Sequence, residues 1–117
     1  MFLALLALVA CTTAKGKWEG DCGGQGYEFE VEISIDRDRF GELEGELEIG
    51  AGGDTIDGDG DGTRKGKDVK LDFEYSNSGY DIEFEFDGEI DGDTLEGDLE
   101  FAASGYNLKL DCDLDRD

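Results

Sequence analysis

From Gly16 onward, apolar side chains recur at every second position, and this spacing constrains the fold more than any other feature of the chain. A period of two gives a strand one greasy face, whereas a helix needs recurrences of three and four. No stretch has convincing helical periodicity. Eight segments carry the pattern. The first has Trp18, Gly20 and Cys22 on one face, and the second Tyr27, Phe29, Val31, Ile33 and Ile35. The third has Leu43, Gly45, Leu47 and Ile49, and the fourth Ile56, Gly58 and Gly60. The fifth presents Val69, Leu71, Phe73 and Tyr75, and the sixth Tyr80, Ile82, Phe84, Phe86, Gly88 and Ile90. The seventh has Leu95, Gly97, Leu99 and Phe101, and the eighth Tyr106, Leu108, Leu110, Cys112 and Leu114.

Short turns separate these segments, at Gly23 to Gln25, Asp36 to Arg39, Gly50 to Gly53, Thr63 to Gly66, Ser76 to Ser78, Asp91 to Asp93 and Ala102 to Ser104. Short connections make sequential strands antiparallel neighbours. A sheet with one apolar face and nothing to cover it must roll up on itself. The expected fold is therefore all-β, an eight-stranded antiparallel up-and-down β-barrel, with a two-sheet β-sandwich as the alternative. An internal repeat supports the strand count. Leu43-Glu44-Gly45-Glu46-Leu47-Glu48-Ile49 returns 52 positions later as Leu95-Glu96-Gly97-Asp98-Leu99-Glu100-Phe101, so the barrel reads as a doubled four-stranded unit.

The residues between the apolar positions are mostly acidic. The chain has 32 Asp and Glu against 10 Lys and Arg, for a net charge of -22, in 117 residues. Regular apolar spacing at 38% hydrophobic content argues for a folded domain despite this charge. Nucleic acid is a poor partner, since phosphate binding needs clustered cations. The acidity suits a salty medium, where counter-ions screen self-repulsion. Histidine is absent, which removes the commonest general base and transition-metal ligand. There is no nucleophile elbow, zinc motif or phosphate loop. Acids on an outward strand face are not raised in pKa by burial, so an enzyme is not expected.

The first ten residues are apolar and uncharged, too short to span a bilayer but the length of a signal-peptide core. Leu8-Val9-Ala10-Cys11 follows directly and resembles the lipobox of bacterial lipoproteins. The resemblance implies a signal peptide over 1–10, acylation of Cys11 (a palmitoyl-type anchor), a tether over 11–15 and the barrel over 16–117. The alternatives are an ordinary signal peptide, or a buried strand with Cys11 in a core. Thr12 rather than Asp follows the cysteine, which in the Gram-negative pattern implies the outer membrane of the cell envelope. Acylating Cys11 leaves Cys22 and Cys112, which an exported setting favours pairing; the alternative is two buried thiols. In a closed barrel the first and last strands are neighbours, and a stagger of roughly eight to ten residues would bring these cysteines together. Gly16-Lys17-Trp18 resembles the Gly-x-Trp that opens lipocalin barrels, with a similar element in avidin-type barrels, and implies a small barrel of that kind.

Three groups of residues are candidates for binding. Asp57-Gly58-Asp59-Gly60-Asp61-Gly62 has the alternating oxygens and sixth-position glycine of a calcium loop, with Asp57, Asp59 and Asp61 as ligands, although the eighth position is Arg64 and the twelfth Asp68. Its alternative is a strand with glycines inward and aspartates outward. Lys15, Lys17, Arg37, Arg39, Arg64, Lys65, Lys67 and Arg116 all fall at the barrel end where the first strand begins, and form a candidate basic rim toward anionic headgroups. Tyr27, Tyr75, Tyr80 and Tyr106 gather at the other, neutral end as a candidate ligand mouth. The inward glycines either leave space for a small apolar ligand or permit close approach of strands. The functional expectation is a membrane-anchored, non-catalytic structural or interaction barrel. The alternatives are a carrier of a small apolar ligand and a surface binder of calcium or other divalent cations.

Overall fold

Alternation leaves a sheet with two unpaired edges, and this chain removes both by joining its first strand to its last. The computed structural model describes residues 13–51, 53–77, 80–103 and 105–117. Its strands are β1 (Gly16–Gly24), β2 (Tyr27–Arg39), β3 (Glu42–Ala51), β4 (Asp54–Lys65), β5 (Asp68–Asn77), β6 (Tyr80–Asp91), β7 (Thr94–Ala103) and β8 (Tyr106–Arg116). Each pairs antiparallel with the next, and β8 pairs back onto β1 to close an up-and-down barrel. The eight expected strands and their barrel are thus observed, and the sandwich is not.

Following the paired residues once around the ring returns ten residues further along β1. With a rise of about 3.3 Å and a spacing of about 4.8 Å, this stagger tilts the strands by about 40°. It also sets Cys22 directly opposite Cys112 in the closing ladder, Cα atoms 4.1 Å apart, where they form a disulfide.

The turns are tighter than the sequence suggested. Strands run through Arg39 and Lys65, so Arg37, Arg39, Arg64 and Lys65 are strand residues rather than turn residues. The β2–β3 hairpin turns on Phe40-Gly41 alone, both with positive φ, the arrangement of a type I′ turn. The β4–β5 and β6–β7 hairpins turn on Gly66-Lys67 and Gly92-Asp93, glycine first with positive φ. The difference arises because charged residues close to a glycine read as loop composition, whereas the ladder continues to the last residue that can pair.

The interior is filled. Trp18, Phe73 and Phe86 are fully buried together with leucines and isoleucines from the other strands. The inward glycines bring strands together instead of opening space. A β-carbon at Gly60 would collide with the Asp72 carbonyl, and one at Gly97 with that of Asp87. Gly45 and Gly97, equivalent in the two halves of the repeat, both sit hard against a neighbouring backbone. Absence of a side chain there lets the sheet coil tightly enough to close.

Candidate functional site

The two ends of the barrel differ in every respect that bears on function. At the end where β1 begins, the chain before it passes under the opening and is pinned there. Asp38 is the pin. A bulge between Ile35 and Arg37 inserts Asp36 as an extra residue in β2. The bulge reverses the alternation, so that Asp38 faces inward where continued pairing would have turned it out. The Asp38 side chain is 2% exposed, and Arg64, inward on β4, meets it with Nε donating to Oδ2 at 2.8 Å. The Ala14 amide and Thr13 hydroxyl donate to the same Oδ2, at 2.9 and 3.1 Å. Burial by itself would push this carboxyl up, but the Arg64 guanidinium and the Ala14 and Thr13 donors hold it below its ordinary value of 3.8.

Trp18 completes the closure. Its indole Nε1 donates to the Ala14 carbonyl at 3.0 Å, and the Arg116 guanidinium lies over its ring, 4.3 Å from the centroid. Arg116 also donates to the Lys15 carbonyl at 2.9 Å. Gly16, at φ 137°, leaves room beneath the Arg116 chain. Arg64 and Arg116 lie at the expected end of the barrel but are engaged in bracing it, each only 19% exposed. Lys15, Lys17, Arg37, Arg39, Lys65 and Lys67 are exposed at this end. Lys17 pairs with Glu32 at 3.6 Å and Arg37 with Glu44 at 3.3 Å.

The opposite end is an aromatic mouth. Tyr27 and Tyr106 occupy the inward register of β2 and β8 at its edge, about half exposed. Tyr27 pairs with Gly24 at the end of β1. A hydrogen bond between the two phenols raises the Tyr106 pKa above its ordinary 10.0, with the nearby Tyr27 charge and burial adding to it. Tyr27 stacks on Phe29, centroids 6.1 Å apart, and Tyr106 stands edge-on to Phe101 at 6.3 Å. Phe101 in turn packs on Phe84 at 5.8 Å. Tyr75 joins them among the half-buried residues packed on the core. The Tyr80 side chain lies outside the described residues, as does Cys11 together with the expected signal peptide.

Between the ends stands an acidic wall. Strand pairing sets carboxylate opposite carboxylate: Glu19 faces Glu32, Glu32 faces Glu48, Glu48 faces Asp57, and Asp61 faces both Glu44 and Asp72. An open groove of about 400 Å³ runs on this outer face between Glu19, Asp21, Glu30, Glu32, Glu48 and Thr55. A hydrogen bond with Glu32 raises the Glu19 pKa above 4.5, helped by the Asp117 charge and burial, with Lys17 opposing. An outward acid thus gains a raised pKa without deep burial, from a like-charged neighbour across the ladder.

The calcium-loop expectation is corrected in its geometry. Asp57, Asp59 and Asp61 lie within β4 with exposed side chains, not in a loop. Alternate residues of a strand stand about 6.8 Å apart, too far for three of them to share one ion with ligands at about 2.4 Å. Among the described residues no three His, Cys, Asp or Glu side chains converge as a metal site.

No protein-family model matches this chain, and none of the curated proteins matches it significantly.

Proposed function

We propose that this chain is a lipid-anchored, non-catalytic interaction protein of the bacterial cell envelope, belonging among small lipocalin- or avidin-like barrels, whose aromatic mouth meets a partner. One observation supports the reading above others: the chain enters the barrel at its pinned end, and the exposed pair Tyr27 and Tyr106 stands at the other end. An anchor through Cys11 would hold the pinned end at the membrane and turn the mouth away from it. Tyrosines that are held by neighbours and half exposed give contact area at little cost in conformational freedom, as interface anchors do.

A carrier of small apolar molecules is the second reading. The aromatic mouth favours it, but Trp18, Phe73 and Phe86 fill the space below, so a ligand would sit at the rim. Facing carboxylates on the wall favour the third reading, a surface cation binder.

Purification from the native host followed by native mass spectrometry separates these readings. A retained small molecule supports the carrier, and stoichiometric calcium the cation binder. A partner cross-linked through the mouth, and lost in the Tyr27→Ser, Tyr106→Ser double variant, supports the interaction protein. Anchoring has its own test: Cys11→Ser should release the chain from the membrane fraction, and unchanged retention would refute the lipid anchor.

A further inference from the structure

Phe40 is unexplained by the fold. It sits at the tip of the β2–β3 hairpin, fully exposed, with φ 52°. A type I′ turn favours Asn, Asp or Gly at this position, and a bulky residue there is strained. A large apolar side chain in a strained position without burial works against stability, so its presence calls for a contact outside the barrel. Its surroundings say which. The Arg64 amide donates to the Gly41 carbonyl at 2.7 Å, which lays the β4–β5 hairpin beside the Phe40 tip. The exposed cations Arg39, Lys65 and Lys67 flank it, and Lys15 is at the same end. Next to the two turns themselves they outnumber the carboxylates Glu42 and Asp68, on a chain that is otherwise strongly acidic, while Asp91 and Asp93 tip the next hairpin at the same end. Thr13 and Ala14 are bonded to Asp38, two residues before Phe40, so the first described residues lie beside this hairpin.

We infer that Phe40 is a membrane wedge: its ring inserts into the interfacial region of an anionic bilayer while Arg39, Lys65 and Lys67 meet the headgroups. The inference rests on the anchored reading and adds a second, weaker contact to the acyl chain, fixing the barrel upright. Two signals of this kind hold a protein at a membrane where one is marginal. An aromatic ring beside cations is suited to the interface, and the acidic wall is kept clear of the surface by the same orientation.

The test uses the full chain on vesicles of phosphatidylcholine and phosphatidylglycerol with brominated acyl chains. Phe40→Trp places a fluorophore at the tip, and Tyr106→Trp places one at the mouth; Trp18 is buried and common to both. Bromine should quench the indole at position 40 and not that at 106. Phe40→Ser should weaken vesicle binding of the Cys11→Ser chain by roughly tenfold, the factor for leaving one phenyl ring in water. An acylated chain with no quenching at position 40, or equal quenching at 106, overturns the wedge and leaves the anchor standing. Quenching at 40, together with a Cys11 found unlipidated in chain purified from its own host, overturns the anchor and sustains the wedge. Equal quenching on phosphatidylcholine alone overturns the assignment to anionic lipid.

Discussion

Asp38 and Arg64 face each other through two parallel hydrogen bonds, Nε to Oδ2 at 2.8 Å and Nη2 to Oδ1 at 3.2 Å. The pair is largely withdrawn from water, with Arg64 19% exposed and Asp38 2%. Removing one partner from such a pair leaves an uncompensated charge and costs about 3 kcal/mol or more. Asp38→Ala should therefore lower the unfolding free energy measured in urea by that amount, seen as a lower midpoint at unchanged slope. It should also expose the Ala14 amide to hydrogen exchange, which a purely local effect at Arg64 would not do.

Acid should affect the barrel in two opposite senses. Asp38 has a depressed pKa, so its contribution is present above 3.8 and is lost as pH falls through its lower folded value. Glu19 has a raised pKa, so its contribution is present below 4.5 and is lost as pH rises through its higher folded value. The two contributions coexist only between these ranges, and urea denaturation across pH reads each of them. Asp38→Asn should flatten the acid limb, and Glu19→Gln the limb toward neutrality.

The Cys22–Cys112 bridge spans 90 positions of sequence. In the chain-entropy account, closing a loop of that length stabilises by about 4 to 5 kcal/mol. Reduction, or Cys22→Ala with Cys112→Ala, should lower the unfolding free energy by an amount of this order. Denaturation with and without reductant measures it.

Facing carboxylates such as Glu32 and Glu48, or Asp61 and Asp72, repel one another across the ladder. Raising sodium chloride to about 1 M, where the screening length falls to about 3 Å, should raise the melting temperature. Calcium chloride at matched ionic strength distinguishes general screening from specific binding. An extra calcium-dependent rise would favour the cation reading, and its absence would dispose of it.

The strands, their order and the closing disulfide were legible because each depends on a regular quantity: alternation, turn spacing and stagger. The pinned end was not. One bulge at Asp36 reverses the parity of everything after it in β2, and nothing in the composition of Asp36 to Arg39 distinguishes a bulged strand from a turn. Arg64 and Arg116 looked like surface cations for a related reason. Each occupies an inward position at the very end of a strand, where a long side chain can reach back over the core. Phe40 carries no signal in the sequence because it belongs to neither the alternating pattern nor a recognised motif. The aromatic mouth is partly legible: counting strands puts Tyr27 and Tyr106 at one end, but the hydrogen bond between them depends on the stagger of β1, β2 and β8, which only the register reveals.

The seam between β1 and β8 has a consequence for how the molecule is made. Every other hairpin joins segments adjacent in the chain, so each can form as soon as its two halves exist. The ring itself stays open until the eighth strand has emerged and found the first across almost the whole length of the polypeptide, a slow search. Until then two raw edges are on offer to other chains. Synthesis must therefore deliver all eight strands before any of them is safe from aggregation, and a product lacking the last would be a hazard to its neighbours rather than a weaker copy.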